Sequence, residues 1–434
     1  MKDHELLKLL HAEVKPALGC TGPIGVCFAG AQAYDAIGGE IEQIHAKIDW
    51  GMCSKIDDVA FPGTEMLGVE MAIALGAVCG DPNAGLEVLH TVTSEGELKA
   101  RKVAELVTLE PQWDRTDLGL YIDITIKTDK GIGRAIVQER SDGLVYKESN
   151  GKVLVDIVPD PSAQAGASPV LKYKVKDFYD FAVSAPVDEL EFLRKAMEYN
   201  TILAEATIND NLGAGIGYAL HHDPHGNKIT RAKAYAAAGC EARMSGVNHP
   251  AMSCANKGNV GIAASMPLVS LAKDLDLPEE RLLRALALSY LLAIAVIHRI
   301  GKCPSMCSCE VAASLGVAAG SVLLQGGTEK QVENAIQNTI PNVFGVVCDG
   351  AKLACALRIS SGTGVAMEAA DLALAGVRLA NNQGVLAPDA DESINLLGHT
   401  ALYAMVDSDR ELCRLLFDKR QPFPLMRFAD RQKQ

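Results

Sequence analysis

The sequence predicts an α+β fold, a mainly helical Ala/Gly-rich domain carrying a small hairpin-rich α+β module. Three observations carry this expectation. Apolar residues make up 48% of the 434-residue chain, aromatics only 5%, and there are 39 glycines, a balance that suits close-packed helices better than an aromatic-rich sandwich. Ala/Gly/Leu stretches recur on both sides of the chain's middle. Between about residues 105 and 172, short β-branched runs are separated by Asp-Gly and Asn-Gly turns, the strongest local hairpin signals.

From the N-terminus, Met1 to Pro16 reads as an amphipathic helix start without the apolar stretch of a secretion signal. Ile24–Ala36 and Met66–Val78 are small-residue helices. Between them Ile41–Asp49 alternates as a strand does. Strands are expected at Leu118–Lys127, Ile132–Gln138, Leu144–Lys147 and Val153–Val158. The expected division is therefore 1–104 with 173–434 as the helical catalytic domain and 105–172 as the inserted module. Later helices cover Pro278–Ile300, Glu310–Leu324 and Thr328–Gln337. The longest apolar run, Ala285–Ile297, falls short of the roughly 20 residues a bilayer requires and reads as a buried core helix.

A net charge of −13 without long basic runs makes nucleic acid and anionic membrane poor partners. Twelve cysteines without a secretion signal point to reduced thiols in the cytoplasm rather than a disulfide framework. Most read as small buried hydrophobes. Three segments differ: Glu13 to Pro23 around Cys20, Cys303-Pro-Ser-Met-Cys307-Ser-Cys309-Glu310, and Val347-Cys348-Asp349-Gly350. Each sets a thiol beside Gly, Pro or a helix start, where a thiolate is stabilised and can face an ion. Soft ligands converging from distant segments suit an iron–sulfur cluster or zinc, and without paired CxxC knuckles no structural zinc site is signalled.

A second candidate is Met252-Ser253-Cys254-Ala-Asn256-Lys257-Gly258-Asn259-Val-Gly261. Its small residues permit close backbone approach to a ligand, and Ser253, Asn256 and Asn259 can hold the polar ends of an amino acid. A plain turn before a helix accounts for the same residues equally well. With Gly258, and with Thr21 beside Cys20, these are the expected substrate-binding residues. His221, His222 and His225 read as a solvated turn.

With those segments in view, the chain resembles the L-cysteine desulfidase family, relatives of the α-domain of iron–sulfur-dependent bacterial L-serine dehydratases. The resemblance spans nearly the whole length. It is carried by Glu13-Val-Lys-Pro-Ala-Leu-Gly-Cys20-Thr, Phe61-Pro-Gly-Thr64, Ala84-Gly-Leu-Glu-Val-Leu89, Ala242-Arg-Met-Ser-Gly246, Pro250-Ala-Met-Ser253 and Cys348-Asp-Gly-Ala351. It implies a [4Fe–4S] cluster held by Cys20, Cys348 and either Cys307 or Cys309, with one iron left open.

The implied reaction converts L-cysteine and water to pyruvate, ammonia and hydrogen sulfide, by α-proton removal and metal-assisted loss of the thiol. Serine or another β-substituted small acid is the alternative substrate, and a non-catalytic metal- or amino-acid-binding protein is the alternative class. Base candidates are Lys15, Lys55, His249 and Lys257, a lysine serving only if its pKa is lowered. The expected partners are a small amino-acid-like molecule and a second copy of the chain in a homodimer. Position 22 is Gly where the family usually has Glu, and Ser54-Lys55-Ile56-Asp57-Asp58 stands where a Lys-Asn-Gly stretch is usual.

Overall fold

The computed structural model describes residues 2–19, 21–56, 58–61, 64, 66–115, 119–158, 168–301, 304–380 and 382–420, without the side chains of Lys2, Asp3 and Thr21. The chain opens with α1 (Lys2–Glu13), β1 (Pro16–Ala17), α2 (Thr21–Asp35), β2 (Ile41–Asp49), α3 (Trp50–Lys55), α4 (Val69–Cys79) and α5 (Ser94–Ala104). Strands β3 (Val107–Gln112), β4 (Tyr121–Thr128), β5 (Gly131–Gln138), β6 (Leu144–Ser149) and β7 (Lys152–Asp156) follow. Then come α6 (Val175–Ser184), α7 (Arg194–Asp210), α8 (Ile216–His221), α9 (Lys228–Met244), β8 (Ala251–Met252), α10 (Gly258–Asp274) and α11 (Glu279–Ile300). The chain finishes with α12 (Ser308–Leu324), α13 (Glu329–Val343), α14 (Cys355–Leu374), α15 (Ala390–His399) and α16 (Val406–Lys419). This is the expected α+β, mainly helical architecture.

Two hydrophobic cores organise these elements. The larger draws on Leu6 to Val14 and on helices from α6 to α15. Its axis is α11, where Leu282 to Ile297 is almost wholly buried against α12. That helix is long and apolar enough to cross a membrane, but its apolar surface is spent on the protein's own interior. Helix α13 runs further than expected, to Val343. It starts from a capping box in which Thr328 N donates to Gln331 Oε1 at 2.9 Å.

The second core holds α2, α4 and one face of a six-stranded sheet of order β3-β2-β4-β5-β6-β7. The β2–β3 pair is parallel and the others antiparallel. Alternation decides the buried face: Ile44, Ala46 and Ile48 of β2 and Ile122, Ile124 and Ile126 of β4 are all fully buried. The sheet is not confined to 105–172. Strand β2 pairs on both sides, with β3 and β4, so residues well before 105 complete the same layer.

Helices α2 and α4 touch backbone to backbone. A Cβ on Gly30 would lie 2.5 Å from the Ile73 carbonyl oxygen, and one on Gly76 would lie 1.9 Å from that of Cys27. Gly76→Ala should therefore destabilise the protein by about 2 kcal/mol or more, read as a lower denaturation midpoint. Gly364→Ala adds a methyl whose nearest neighbour is the Lys233 side chain at 3.5 Å, and should leave stability unchanged or raise it by up to about 1 kcal/mol, read as an equal or higher midpoint.

Candidate functional site

Two backbone hydrogen bonds join the cysteine segments near 307 and 348. Cys307 N donates to Val346 O and Cys348 N to Ser305 O, both at 2.8 Å, flanking an antiparallel bridge between Met306 and Val347. Alternation puts Cys307 and Cys348 on the face opposite Met306 and Val347. Such diagonal neighbours lie about 7–8 Å apart. That is too far for a disulfide without backbone movement and leaves room for a shared ion or cluster.

Cys307 is the N-cap of α12 and is buried. A hydrogen bond from the Cys309 thiol draws its pKa below the ordinary thiol value. The Glu310 N–H and the Arg358 guanidinium act the same way, against burial. The same hydrogen bond and burial push Cys309 well above its ordinary value. Cys355 opens α14 with its sulfur 3.5 Å from Gly350 O, and burial pushes its thiol up to about 12. Among these three thiols, Cys307 is the one whose pKa is drawn down.

Charged groups fasten this corner. Arg358 reaches Asp349 Oδ1 at 3.1 Å and Glu310 Oε2 at 3.9 Å, and Lys352 reaches Asp349 Oδ1 at 2.5 Å. Burial alone would raise the Asp349 pKa, but Lys352 and Arg358 outweigh it and hold the carboxyl below its usual range.

The segment from Glu13 to Gly19 is laid along residues 251–255. Lys15 O accepts from Ser253 N at 2.8 Å and from Ser253 Oγ at 2.7 Å, and Glu13 O accepts from Ala255 N at 2.9 Å. Pro16 and Ala17 pair with Met252 and Ala251. Next, Cys254 and Lys257 bracket a tight turn whose central residues, Ala255 and Asn256, have φ of 49° and 59°. A left-handed alanine costs about 1 kcal/mol, so this turn is held by its surroundings. Asn256 is exposed, Lys257 is the N-cap of α10, and Gly258 and Asn259 are buried in its first turn. Arg243 lies under them, donating to Asn259 Oδ1 at 2.8 Å and Gly19 O at 2.6 Å.

Cys20 and Cys303 lie outside the described residues, as does the Thr21 side chain. The chain around Cys20 nevertheless meets the other site segments. A Cβ on Gly22 would sit 3.0 Å from Ile56 Cγ2, and Lys55 O accepts from Ala351 N at 2.9 Å. The end of α3 therefore touches the chain just after Cys20 and just after Cys348. A cleft of about 100 Å³ opens beside this region, lined by Leu18, Ile24, Leu89, Val92 and Asn248 among others.

Of the four base candidates, the Lys15 side chain is exposed and Lys257 is half-buried. His249 packs edge-on against Tyr199 with ring centres 5.4 Å apart. Its Nε2 is buried without a hydrogen-bond partner among the described residues. Lys55 reaches Asp409 Oδ1 of α16 at 2.6 Å, with side chains only 12% and 3% exposed. Burial disfavours its charge, but Cys348, Asp409 and Cys413 prevail and raise its pKa. Lys55 therefore keeps its proton at neutral pH.

Arg243, Arg358, Asp349 and Asp409 were not singled out by sequence reasoning. A lone arginine closing the Ala-rich run from Ala232 to Ala242 is a signal for Arg243, because a buried charge needs partners. No sequence signal joins Asp409 to Lys55. Among the described residues no group of three or more His, Cys, Asp or Glu side chains is arranged to hold a metal ion. Two soft sulfur donors on one face, with a third cysteine in an adjoining segment, nonetheless fit a thiolate-bound cluster in donor chemistry.

Residues 83–414 match the family described as serine dehydratase alpha chain, and the chain belongs to that family. Relatives match over nearly their full lengths. A UPF0597 protein of Clostridium botulinum (strain Okra / Type B1) is 32% identical over 426 residues, 96% of this chain and 99% of its own. A UPF0597 protein of Parabacteroides distasonis is 34% identical over 431 residues, 96% and 98% of the two chains. Another from Caldanaerobacter subterraneus subsp. tengcongensis is 33% identical over 417 residues, 95% and 98%.

Removing one partner of a buried ion pair strands the other. Asp409→Asn should lower stability by about 3 kcal/mol in chemical denaturation. Adding Lys55→Met should recover part of the loss. A strictly additive double-mutant cycle would show the pair to be uncoupled.

Proposed function

We propose that this protein is an iron–sulfur-dependent lyase that eliminates water from L-serine or hydrogen sulfide from L-cysteine, yielding pyruvate and ammonia. The observation that carries the reading is the bridge at Met306 and Val347, which sets Cys307 and Cys348 on one face. Membership of the serine dehydratase alpha chain family supports the reaction class. Cys20, Cys307 and Cys348 would hold a [4Fe–4S] cluster, with Cys307 preferred to Cys309 because it adjoins the bridge to residues 346–348. When bound, the cluster supplies Lewis-acid assistance to the departing hydroxyl or thiol.

The chain's own groups do the rest. Ser253, fixed on the Lys15 carbonyl, and the turn at Asn256 shape the amino-acid site. His249 is the best-supported base, since a ring nitrogen without a hydrogen-bond partner among the described residues can take the α-proton. Lys55 acts as a fixed positive charge beside Cys348. Loss of the β-substituent leaves an aminoacrylate, whose hydrolysis gives pyruvate and ammonia.

Protein purified without oxygen should contain about four irons and four acid-labile sulfides per chain. It should form pyruvate and ammonia from serine or cysteine, with sulfide appearing only from cysteine. Cys307→Ser and Cys348→Ser should each lose most of the iron and the activity. His249→Gln should keep the iron and lose about 10²-fold or more in kcat. Turnover by iron-free protein would overturn the cluster reading. Amino-acid binding by iron-loaded protein without turnover would make the chain a binding protein instead.

A further inference from the structure

Arg243 is a buried cation, 6% exposed, with no paired carboxylate among the described residues. A guanidinium carries five N–H donors. One Nη1 hydrogen goes to Asn259 Oδ1 at 2.8 Å and one Nη2 hydrogen to Gly19 O at 2.6 Å. The Nε–H is buried with no partner among the described residues. Protein interiors rarely leave a charge in that condition, since buried ions are normally paired. Lys55 and Arg358 show the usual solution, bonded to Asp409 and to Asp349 with Glu310.

The guanidinium rests on the first residue of α10. A Cβ on Gly258 would lie 2.4 Å from Nε and 2.5 Å from Cζ, so only glycine admits this stacking. Helix α10 is 17 residues long, and its N-cap makes no side-chain capping bond. Its first-turn N–H groups carry partial positive charge. A helix N-terminus and an uncompensated arginine thus meet at one place. Both favour an anion, and the exposed Asn256 stands two residues before this first turn.

We propose that Arg243 and the first turn of α10 form the subsite for the α-carboxylate of a small L-amino acid. This assignment rests on the lyase reading above and names the group that anchors its substrate. A free carboxylate suits the planar donor fork, and an amide or ester in its place leaves the charge uncompensated. Arg243 also holds the Gly19 carbonyl, one residue before Cys20 in the sequence. Arg243 is then the specificity-determining residue for free amino acids.

The test is calorimetric binding of L-alanine, which has no β-leaving group, against L-alaninamide, which lacks the carboxylate. Wild-type protein purified without oxygen should bind L-alanine about 30-fold or more tightly than the amide. R243Q should reduce that preference to near unity, and R243K should fall between. Circular dichroism and iron content report folding and loading. If R243Q does not fold, R243K alone decides, a preference equal to wild type overturning the subsite. Equal binding of acid and amide by wild type also overturns it. Iron-loaded protein without turnover of serine or cysteine that keeps an Arg243-dependent preference refutes the lyase and leaves the subsite standing. An active lyase without that preference refutes the subsite alone.

Discussion

The pairing of residues 305–307 with 346–348 is the constraint on which the candidate site depends. Two hydrogen bonds contribute little by themselves, about 1 kcal/mol each. Their persistence comes from what flanks them. Met306 is fully buried in the larger core, Cys307 caps α12, and the loop after Cys348 runs into α14, which packs on α12. Helix packing fixes the two strands' ends, and the strands then have one register. A shift of one residue would turn one of the cysteines to the opposite face.

Around that bridge the distribution of charge is uneven. The chain as a whole is acidic, at −13, yet Lys55, Lys352, Arg358 and Arg243, all largely buried, approach the cysteine segments. Lys55 and Arg358 are compensated by carboxylates from α16, α12 and the loop before α14. Among the described residues Arg243 donates only to neutral oxygens. Cations held in low dielectric stabilise negative sulfur and carboxylate far more than surface lysines would. The same surroundings that are expensive to fold are thus suited to anionic ligands.

Much of this architecture was legible in the sequence because it rests on local signals. The Asp-Gly and Asn-Gly turns, the β-branched runs and the Ala/Gly helices all declare themselves within a few residues. Family motifs drew attention to Cys307, Cys348 and Ser253, which lie on elements that meet. What could not be read depended on distant partners. Strand β2 looked like a lone strand between helices because its neighbours β3 and β4 are formed by residues 107–128. Lys55 was a base candidate by type, and only Asp409, 354 residues away, makes it a held cation. Arg243 sat in a family motif, but its unpaired nitrogen becomes visible only when Gly258 and Gly19 are laid against it.

The Lys55–Asp409 contact also bears on how the molecule is made. Until α16 emerges from the ribosome, Lys55 has no carboxylate to meet, and burying it early would be unfavourable. Residues 50–55 are thus predisposed to stay loose while hundreds of later residues are synthesised. A chain assembled in that order leaves the Cys348 side of Lys55 accessible until residues 406–419 have been made.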